Sequence, residues 1–478
     1  MFSQINAAIS SFVWGPPMLA VFLGTGLFLS VKTRFFQIFG VKTWLGETVF
    51  AAFKNRKSKK KTDDGSISQL GALFSALAAC LGTGNIVGVA TALFSGGPGA
   101  VLWMCISAVL GMMSCCCENI LGIKYRVKDS LGKYVGGPMY YIERGLGMSG
   151  LAKAYALLLV GASLGMGNMT QANSVAQGAA GFGISSTACG VFLFAAVIIS
   201  VSGGLERISK LSQVLIPVLS TGFVIACFAV IIANIENLVP SIKLVFKEAF
   251  TFKAVSGFGL AKAARYGISR GVFSNEAGLG SSAIIHASAN CEKPAEQGMW
   301  GILEVFIDTV FMCTVTAAAI LSSGVMSKNP TLNGVELCSA VFESVFGKAG
   351  GYFLDICICF FAFATLIAWS YYGKIGAEYL FGIKGGKIYN LLYAFCAFAG
   401  CLLRLESVWS ISDTLNSLMA VPNIFALILL SKEATGEIKK FKKIIPFSKK
   451  LCYNAKRGYD MAKGVHENEY PNRHYGLR

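Results

Sequence analysis

Charge is scarce in this sequence. Only 14% of its 478 residues are Asp, Glu, Lys or Arg, against roughly a quarter in an ordinary soluble domain. That shortage excludes a normal water-facing surface over most of the chain. Histidine is scarcer still: there are three, His286, His466 and His474, the last two in a basic tail. With so few, and with no HExxH, GxSxG or Walker-type run, the residues give no support to enzyme chemistry or to a nucleotide-driven pump. The 15 Cys do not alter this. Cys115-Cys116-Cys117 and most of the others lie in apolar stretches without metal-ligand spacing, and read as small apolar side chains. No organic cofactor is expected. Residues 1–31 contain no Lys or Arg, so the basic start of a cleavable signal peptide is missing and the first apolar span is expected to stay in the chain.

What the chain has is apolar length. It is 54% hydrophobic and 12% aromatic, and runs of about twenty apolar residues, each long enough to cross a bilayer, recur almost throughout. An all-α polytopic protein of the plasma (bacterial inner) membrane follows. The spans are expected near 12–31, 68–94, 99–122, 151–180, 187–204, 211–233, 262–289, 297–323, 350–378, 388–404 and 408–431. These about eleven helices make one transmembrane domain over 1–431, with a basic tail over 432–478.

The net charge of +17 is concentrated. Lys32, Arg34, Lys42, Lys54, Arg56, Lys57, Lys59, Lys60 and Lys61 crowd the first loop, and the tail carries Lys439-Lys440, Lys442-Lys443 and Lys449-Lys450. In a membrane protein such clusters mark cytoplasmic loops and meet anionic lipid, so no nucleic-acid partner is inferred. They place the N-terminus outside and the C-terminus in the cytoplasm. Lys124, Arg126, Lys128, Arg207, Lys210, Lys374, Lys384 and Lys387 agree; Lys243, Lys247 and Lys253, between 234 and 262, oppose.

Two apolar stretches carry glycines and polar residues where a membrane helix should run unbroken: Leu81-Gly82-Thr83-Gly84-Asn85-Ile86-Val87-Gly88-Val89-Ala90 and Gly267-Ile268-Ser269-Arg270-Gly271-Val272-Phe273-Ser274-Asn275-Glu276-Ala277-Gly278-Leu279-Gly280. Freed backbone groups are costly in hydrocarbon, so a broken helix survives where it lines a cavity or binds something. Two breaks in corresponding halves point to a transporter's substrate and ion site. The first is expected to end one half-helix at Cys80-Leu81 and begin the next at Thr83-Gly84, offering carbonyls to a cation and N–H groups to a carboxylate. The second is expected to end its first half at Val272-Phe273, with carbonyls for an ammonium group. Isolated glycines, such as Gly161 and Gly165, are explained by close helix packing alone.

Other spans add polar groups. Asn168 and Gln171 share a helix face, as do Thr365 and Trp369. Gln171 is a hydrogen-bonding candidate for a substrate, Thr365 a hydroxyl candidate for a cation, and Phe273 and Trp369 candidate pocket walls. Packing explains Trp369 equally well. Glu304 and Asp308 lie one turn apart, with Glu118, Glu276 and Asp355 in or beside apolar segments. Buried carboxylates are functional candidates; a proton relay and bonding to Arg265 or Arg270 both remain open.

Four segments together resemble the alanine or glycine:cation symporters, also called sodium:alanine symporters: Gly82-Thr83-Gly84-Asn85-Ile86, Gly96-Gly97-Pro98-Gly99-Ala100 with Trp103-Met104, Gly136-Gly137-Pro138-Met139-Tyr140-Tyr141, and Phe273-Ser274-Asn275-Glu276-Ala277-Gly278-Leu279-Gly280-Ser281. With Asp308-Thr309 they extend the resemblance over nearly the whole chain. Two departures stand out: Leu102-Trp103-Met104-Cys105 replaces the family's Phe-Trp-Met-Trp, and Ser281-Ser282-Ala283-Ile284-Ile285-His286 lacks its proline.

The resemblance implies the LeuT-like fold: inverted repeats, here about 68–233 and 262–431, around a midplane site, with an extra N-terminal helix at 12–31. It implies that Thr83, Gly84 and Asn85 approach a substrate carboxylate and Phe273 its amine. Asn275, Gln171, Thr365 and Trp369 complete the pocket, while carbonyls of Ala78 and Leu81 with the Thr365 hydroxyl hold sodium. The function implied is sodium-coupled symport of small neutral amino acids such as alanine and glycine. Proton coupling through Glu304 and Asp308, a channel and a non-transporting amino acid sensor remain alternatives. Oligomeric state is not legible.

Overall fold

The computed structural model describes residues 15–54, 66–130, 132–250, 259–403 and 405–444. The basic positions 56–61 and 445–478, the tail histidines and the start of the first expected span lie outside them. The described chain is helical apart from short connections and one two-stranded pair, Val127–Lys128 with Tyr134–Val135. Helices are the form in which a lipid-embedded backbone bonds to itself.

The first helix, α1 (Pro16–Lys32), starts on a proline, whose missing N–H costs nothing at a helix start. After it come α2 (Gln69–Cys80), α3 (Val87–Gly96), α4 (Ala100–Lys124), α5 (Pro138–Leu146), α6 (Ser149–Leu164) and α7 (Thr170–Ala180). The Ser68 hydroxyl caps α2 by accepting the Gly71 N–H at 2.9 Å. Then follow α8 (Ser186–Ser202), α9 (Gly204–Ala233), α10 (Ile235–Ala249), α11 (Gly259–Asn275), α12 (Ser281–His286), α13 (Pro294–Val305) and α14 (Thr314–Ser322). The last four are α15 (Gly334–Phe346), α16 (Lys348–Leu402), α17 (Leu405–Leu429) and α18 (Ser431–Ile444).

Two groups of helices position the site. α4 packs against α1, α11, α12 and α13, while α16 packs against α6, α7, α8 and α15. The broken segments lie between them: α2 touches both α13 and α16. Two of the three π-helical segments among the described residues, Gly165–Met169 between α6 and α7 and Phe306–Cys313 between α13 and α14, interrupt the regular ladders of their helices. Such bulges swing side chains off their helical face.

Five helical segments of the described chain are each long and apolar enough to cross a membrane, or six if α17 and α18, bent by 59°, count as one. The expected count is larger because it takes each broken pair as one span, admits shorter helices such as α1 and α8, and divides α16. That 55-residue helix would be roughly 80 Å long if straight. It turns at Gly382, whose φ of 69° lies in the left-handed region, inside the loop expected between 378 and 388.

Some boundaries differ from expectation. α11 runs through Asn275 rather than ending at Val272-Phe273: the Glu276 N–H donates to the Val272 carbonyl at 2.9 Å, so that carbonyl is spent inside the helix. Arg207 and Lys210 sit in α9, which starts at Gly204 rather than at 211. The second half of the first broken helix begins at Val87, after a 3₁₀ turn over Thr83–Asn85. The stretch expected as an external loop holds α10, and the basic tail begins as helix α18.

Candidate substrate and cation site

The first break is made by a change of hydrogen-bond partner. The Leu81 N–H still follows the helix, to Leu77 O at 2.7 Å, but the Gly82 N–H turns back to Cys80 O at 2.8 Å. The Ala78 carbonyl thereby loses its fourth-residue donor and takes the Thr365 hydroxyl instead, at 2.9 Å. A methyl at Gly82 would lie 2.5 Å from that hydroxyl oxygen, so α16 reaches the break only because residue 82 has no side chain. In the 3₁₀ turn, the Thr83 hydroxyl lies 3.4 Å from Gln171 Oε1. Gln171 in turn donates to Met166 O of the π segment at 3.2 Å.

The second break turns on three residues in the left-handed region, Glu276 (φ 56°), Gly278 (φ 95°) and Gly280 (φ 82°). For a glutamate that backbone costs on the order of 1 kcal/mol. Its carboxylate is held at both oxygens: Trp369 Nε1 donates to Oε1 at 2.9 Å and the Ser281 hydroxyl to Oε2. Phe273 is buried, with the Arg270 guanidinium 5.5 Å from its ring centre. The two breaks meet directly, since a methyl at Gly84 would stand 3.4 Å from Ser274 Cα.

The carboxylates one turn apart serve different networks because the π segment begins between them. Glu304 accepts from the Ser282 hydroxyl at 2.7 Å and pairs with His286 Nε2 at 3.1 Å, both residues of α12. Asp308 faces the first break: Asn85 Nδ2 donates to Oδ1 at 2.8 Å, Ser274 Oγ to Oδ2 at 2.9 Å and Thr309 Oγ1 to Oδ2 at 2.6 Å. Glu118 accepts from Asn423 Nδ2 at 2.6 Å, and Asn423 also accepts from the Tyr141 hydroxyl and donates to Gly278 O at 2.8 Å. Asp355 is half-buried, away from these groups, beside Gly178 and Gly181.

Of the residues singled out in the sequence, Ala78, Thr83, Gly84, Gln171 and Thr365 converge on the first break, with Leu81 at its edge. The Asn85 amide is turned to Asp308. Asn275 donates to Thr309 Oγ1 at 3.0 Å and accepts from the Ala277 N–H at 3.0 Å, so both asparagines are engaged by the π segment or the break itself. Trp369 spans to Glu276 and packs on Gly167, where a methyl would lie 2.4 Å from the indole. Thr83 and Trp369 are 0% exposed and Thr365 is 1% exposed, so the arrangement is closed to solvent. Ser274, Thr309, Gly167 and Asn423 were not singled out as site residues. Ser274 and Thr309 sit inside the quoted motifs, but Gly167 and Asn423 carry no local signal.

The family model described as the sodium:alanine symporter family matches residues 1–452. The chain belongs to the sodium:alanine symporter family. Among its relatives, the sodium/alanine symporter AgcS of Methanococcus maripaludis is 39% identical over 93% of this chain and 98% of its own. The putative sodium/proton-dependent alanine carrier protein YrbD of Bacillus subtilis is 34% identical over 91% of this chain and 92% of its own. The probable sodium/glutamine symporter GlnT of the same organism is 33% identical, over 92% and 90%.

Solved structures agree on the fold. MhsT in complex with L-phenylalanine superposes with a TM-score of 0.58 at 12% identity, over 77% of this chain and 90% of that one. A substrate-bound, outward-open Na+-coupled sialic acid symporter gives 0.51 at 14% identity, over 91% and 85%. This member of the sodium:alanine symporter family therefore has the LeuT-like fold and is a multi-pass membrane transporter rather than an enzyme. Cation-coupled amino acid symport is the activity of its family.

Proposed function

We propose that the chain carries small neutral amino acids, alanine and glycine, into the cytoplasm together with sodium by alternating access. The observation that carries this is the meeting of Ala78 O and Thr365 Oγ1 at the first break, beside Thr83 and Gln171. A carbonyl and a hydroxyl suit a hard cation. When sodium enters, the Thr365 proton turns away and both oxygens face the ion, with the Leu81 carbonyl beside them. The ion then holds α2 to α16, which fixes the break in its substrate-binding shape. Coupling needs no more than this preference of sodium for one arrangement.

The substrate carboxylate is taken by the Thr83–Gly84 turn, with Gln171 as a neighbouring hydrogen-bonding group and Phe273 on the amine side. Asn85 and Asn275 hold their breaks through Asp308 and Thr309. Trp369, braced by Glu276, limits the size of the substrate. The inverted repeats, 68–233 and 262–431, rock about this site, with the N-terminus outside and the C-terminus inside. The names of AgcS and YrbD support alanine as substrate, while that of GlnT, a probable sodium/glutamine symporter, names a larger amino acid.

Binding of radiolabelled alanine to the purified protein, in sodium or in choline at one pH, tests the reading. Binding is expected only in sodium. Proton coupling is the second reading, favoured by the fully buried His286–Glu304 pair. Sodium-independent binding that follows pH would support it.

A further inference from the structure

The first helix stands before both proposed repeats, yet it reaches the second break. One face of α1 is buried, with Leu19, Phe22, Gly26 and Leu29 at three- and four-residue steps; Val21, Leu27, Phe28 and Val31 are exposed. The helix packs on α4, α11 and α17. At the middle of its buried face, Phe22 meets Gly278, where a methyl would stand 3.0 Å from the ring carbon Cε1. Gly278 has a φ of 95° and lies in the tight turn that the Leu279 N–H closes on Glu276 O at 3.0 Å. Its carbonyl is held from α17 by Asn423 Nδ2 at 2.8 Å. The same turn starts at Glu276, whose carboxylate receives the Trp369 indole N–H.

We propose that Phe22 is a positioning residue for the substrate site: through the Gly278 turn it holds Glu276 where Glu276 braces Trp369. A turn with glycine at its crest has little stiffness of its own, because glycine tolerates many backbone angles. It keeps one shape only if its neighbours fill the space around it. Asn423 fixes the carbonyl, and the Phe22 ring covers the glycine. A smaller side chain at position 22 leaves a gap into which the turn relaxes. Glu276 then shifts against Trp369, and a hydrogen bond weakens steeply as its geometry departs from the optimum. The first helix thus contributes to substrate binding without touching the substrate.

This inference rests on the reading of Trp369 as a wall of the substrate pocket. Binding of radiolabelled alanine to the purified full chain in sodium, with unlabelled amino acids as competitors, tests it. Phe22→Ala is expected to weaken alanine binding about fivefold and to keep the order of preference, as Trp369→Phe does. Phe22→Leu refills most of the space and should bind within about twofold of the unaltered chain. Phe22→Val, expected to act in the same direction, keeps the test open if Phe22→Ala does not fold. Leu29→Ala truncates an equally buried residue of the same face; it should lower the yield of folded protein without changing the affinity of what folds. Phe22→Ala added to Trp369→Phe should weaken binding little further, since both act through one hydrogen bond. Unchanged affinity in the Phe22 variants or in Trp369→Phe overturns the proposal and leaves the symport reading standing. So do losses that simply add in the double variant, or an equal loss of affinity in Leu29→Ala. An unaltered chain that binds no alanine in sodium overturns both.

Discussion

The indole N–H of Trp369 lies 2.9 Å from Glu276 Oε1, joining α16 to the left-handed turn of the second break. The ring also meets Tyr372 edge-on, 5.2 Å between centres, and rests on Gly167. It is at once a wall and a brace. Trp369→Phe keeps the wall and removes the brace, so selectivity for small amino acids should persist while uptake falls severalfold. Trp369→Ala removes both and should admit larger side chains, at a stability cost of about 3–5 kcal/mol. Competition of alanine uptake by a series of amino acids of increasing size measures this. An unchanged order of preference in Trp369→Ala would remove it from the substrate wall.

Thr365→Ala deletes the hydroxyl on Ala78 O. The sodium concentration for half-maximal uptake should rise by about tenfold or more, the worth of one hydrogen-bonding group to a charged partner. Thr365→Ser should recover most of it. Sodium titrations of alanine uptake decide the matter: an unshifted midpoint in Thr365→Ala takes this residue out of the cation site.

Glycine substitutions separate close approach from helix packing in general. A methyl at Gly167 has no room against Trp369, whereas one at Gly222 in α9 meets nothing within 4 Å. Gly167→Ala should therefore impair uptake strongly. Gly222→Ala should leave uptake unchanged and raise thermal stability slightly, by up to about 1 kcal/mol. Uptake and detergent melting of both variants check the pair.

At the far end of the fold, the Lys124 ammonium and the Tyr125 hydroxyl (2.6 Å) bond to Glu433, fastening α18 to α4 and holding the Glu433 carboxyl below the usual carboxylate range. A lowered native value means the contribution is present at neutral pH. It is lost as pH falls below about 4 and through the native value. The groups are partly exposed, so Glu433→Gln should cost well under about 1 kcal/mol at pH 7. The difference in melting temperature between the two proteins should shrink on acidification; a constant difference would contradict the assignment.

The sequence made the two breaks visible because glycine and polar residues in lipid have few other uses. The turn at Gly382 lay within a loop that charge and hydropathy had already marked. What the sequence hid was partner choice. Whether the Val272 carbonyl is free depends on one more turn of α11, which propensity does not decide. That Glu304 and Asp308 face different networks depends on the π segment, and a side-chain list carries no mark of it. Asn85 belonged to the first break by position, yet its amide reaches a residue 223 positions away. Gly167 gave no local sign, because its role is an absence of atoms beside Trp369.

The central claim is that sodium drives amino acid entry through the first break. Accumulation of radiolabelled alanine in proteoliposomes, under an inward sodium gradient or an inward proton gradient, tests it most directly. The account expects accumulation with the sodium gradient alone, abolished when sodium is equal on both sides. Accumulation with the proton gradient alone would contradict it and move the coupling to the buried carboxylates.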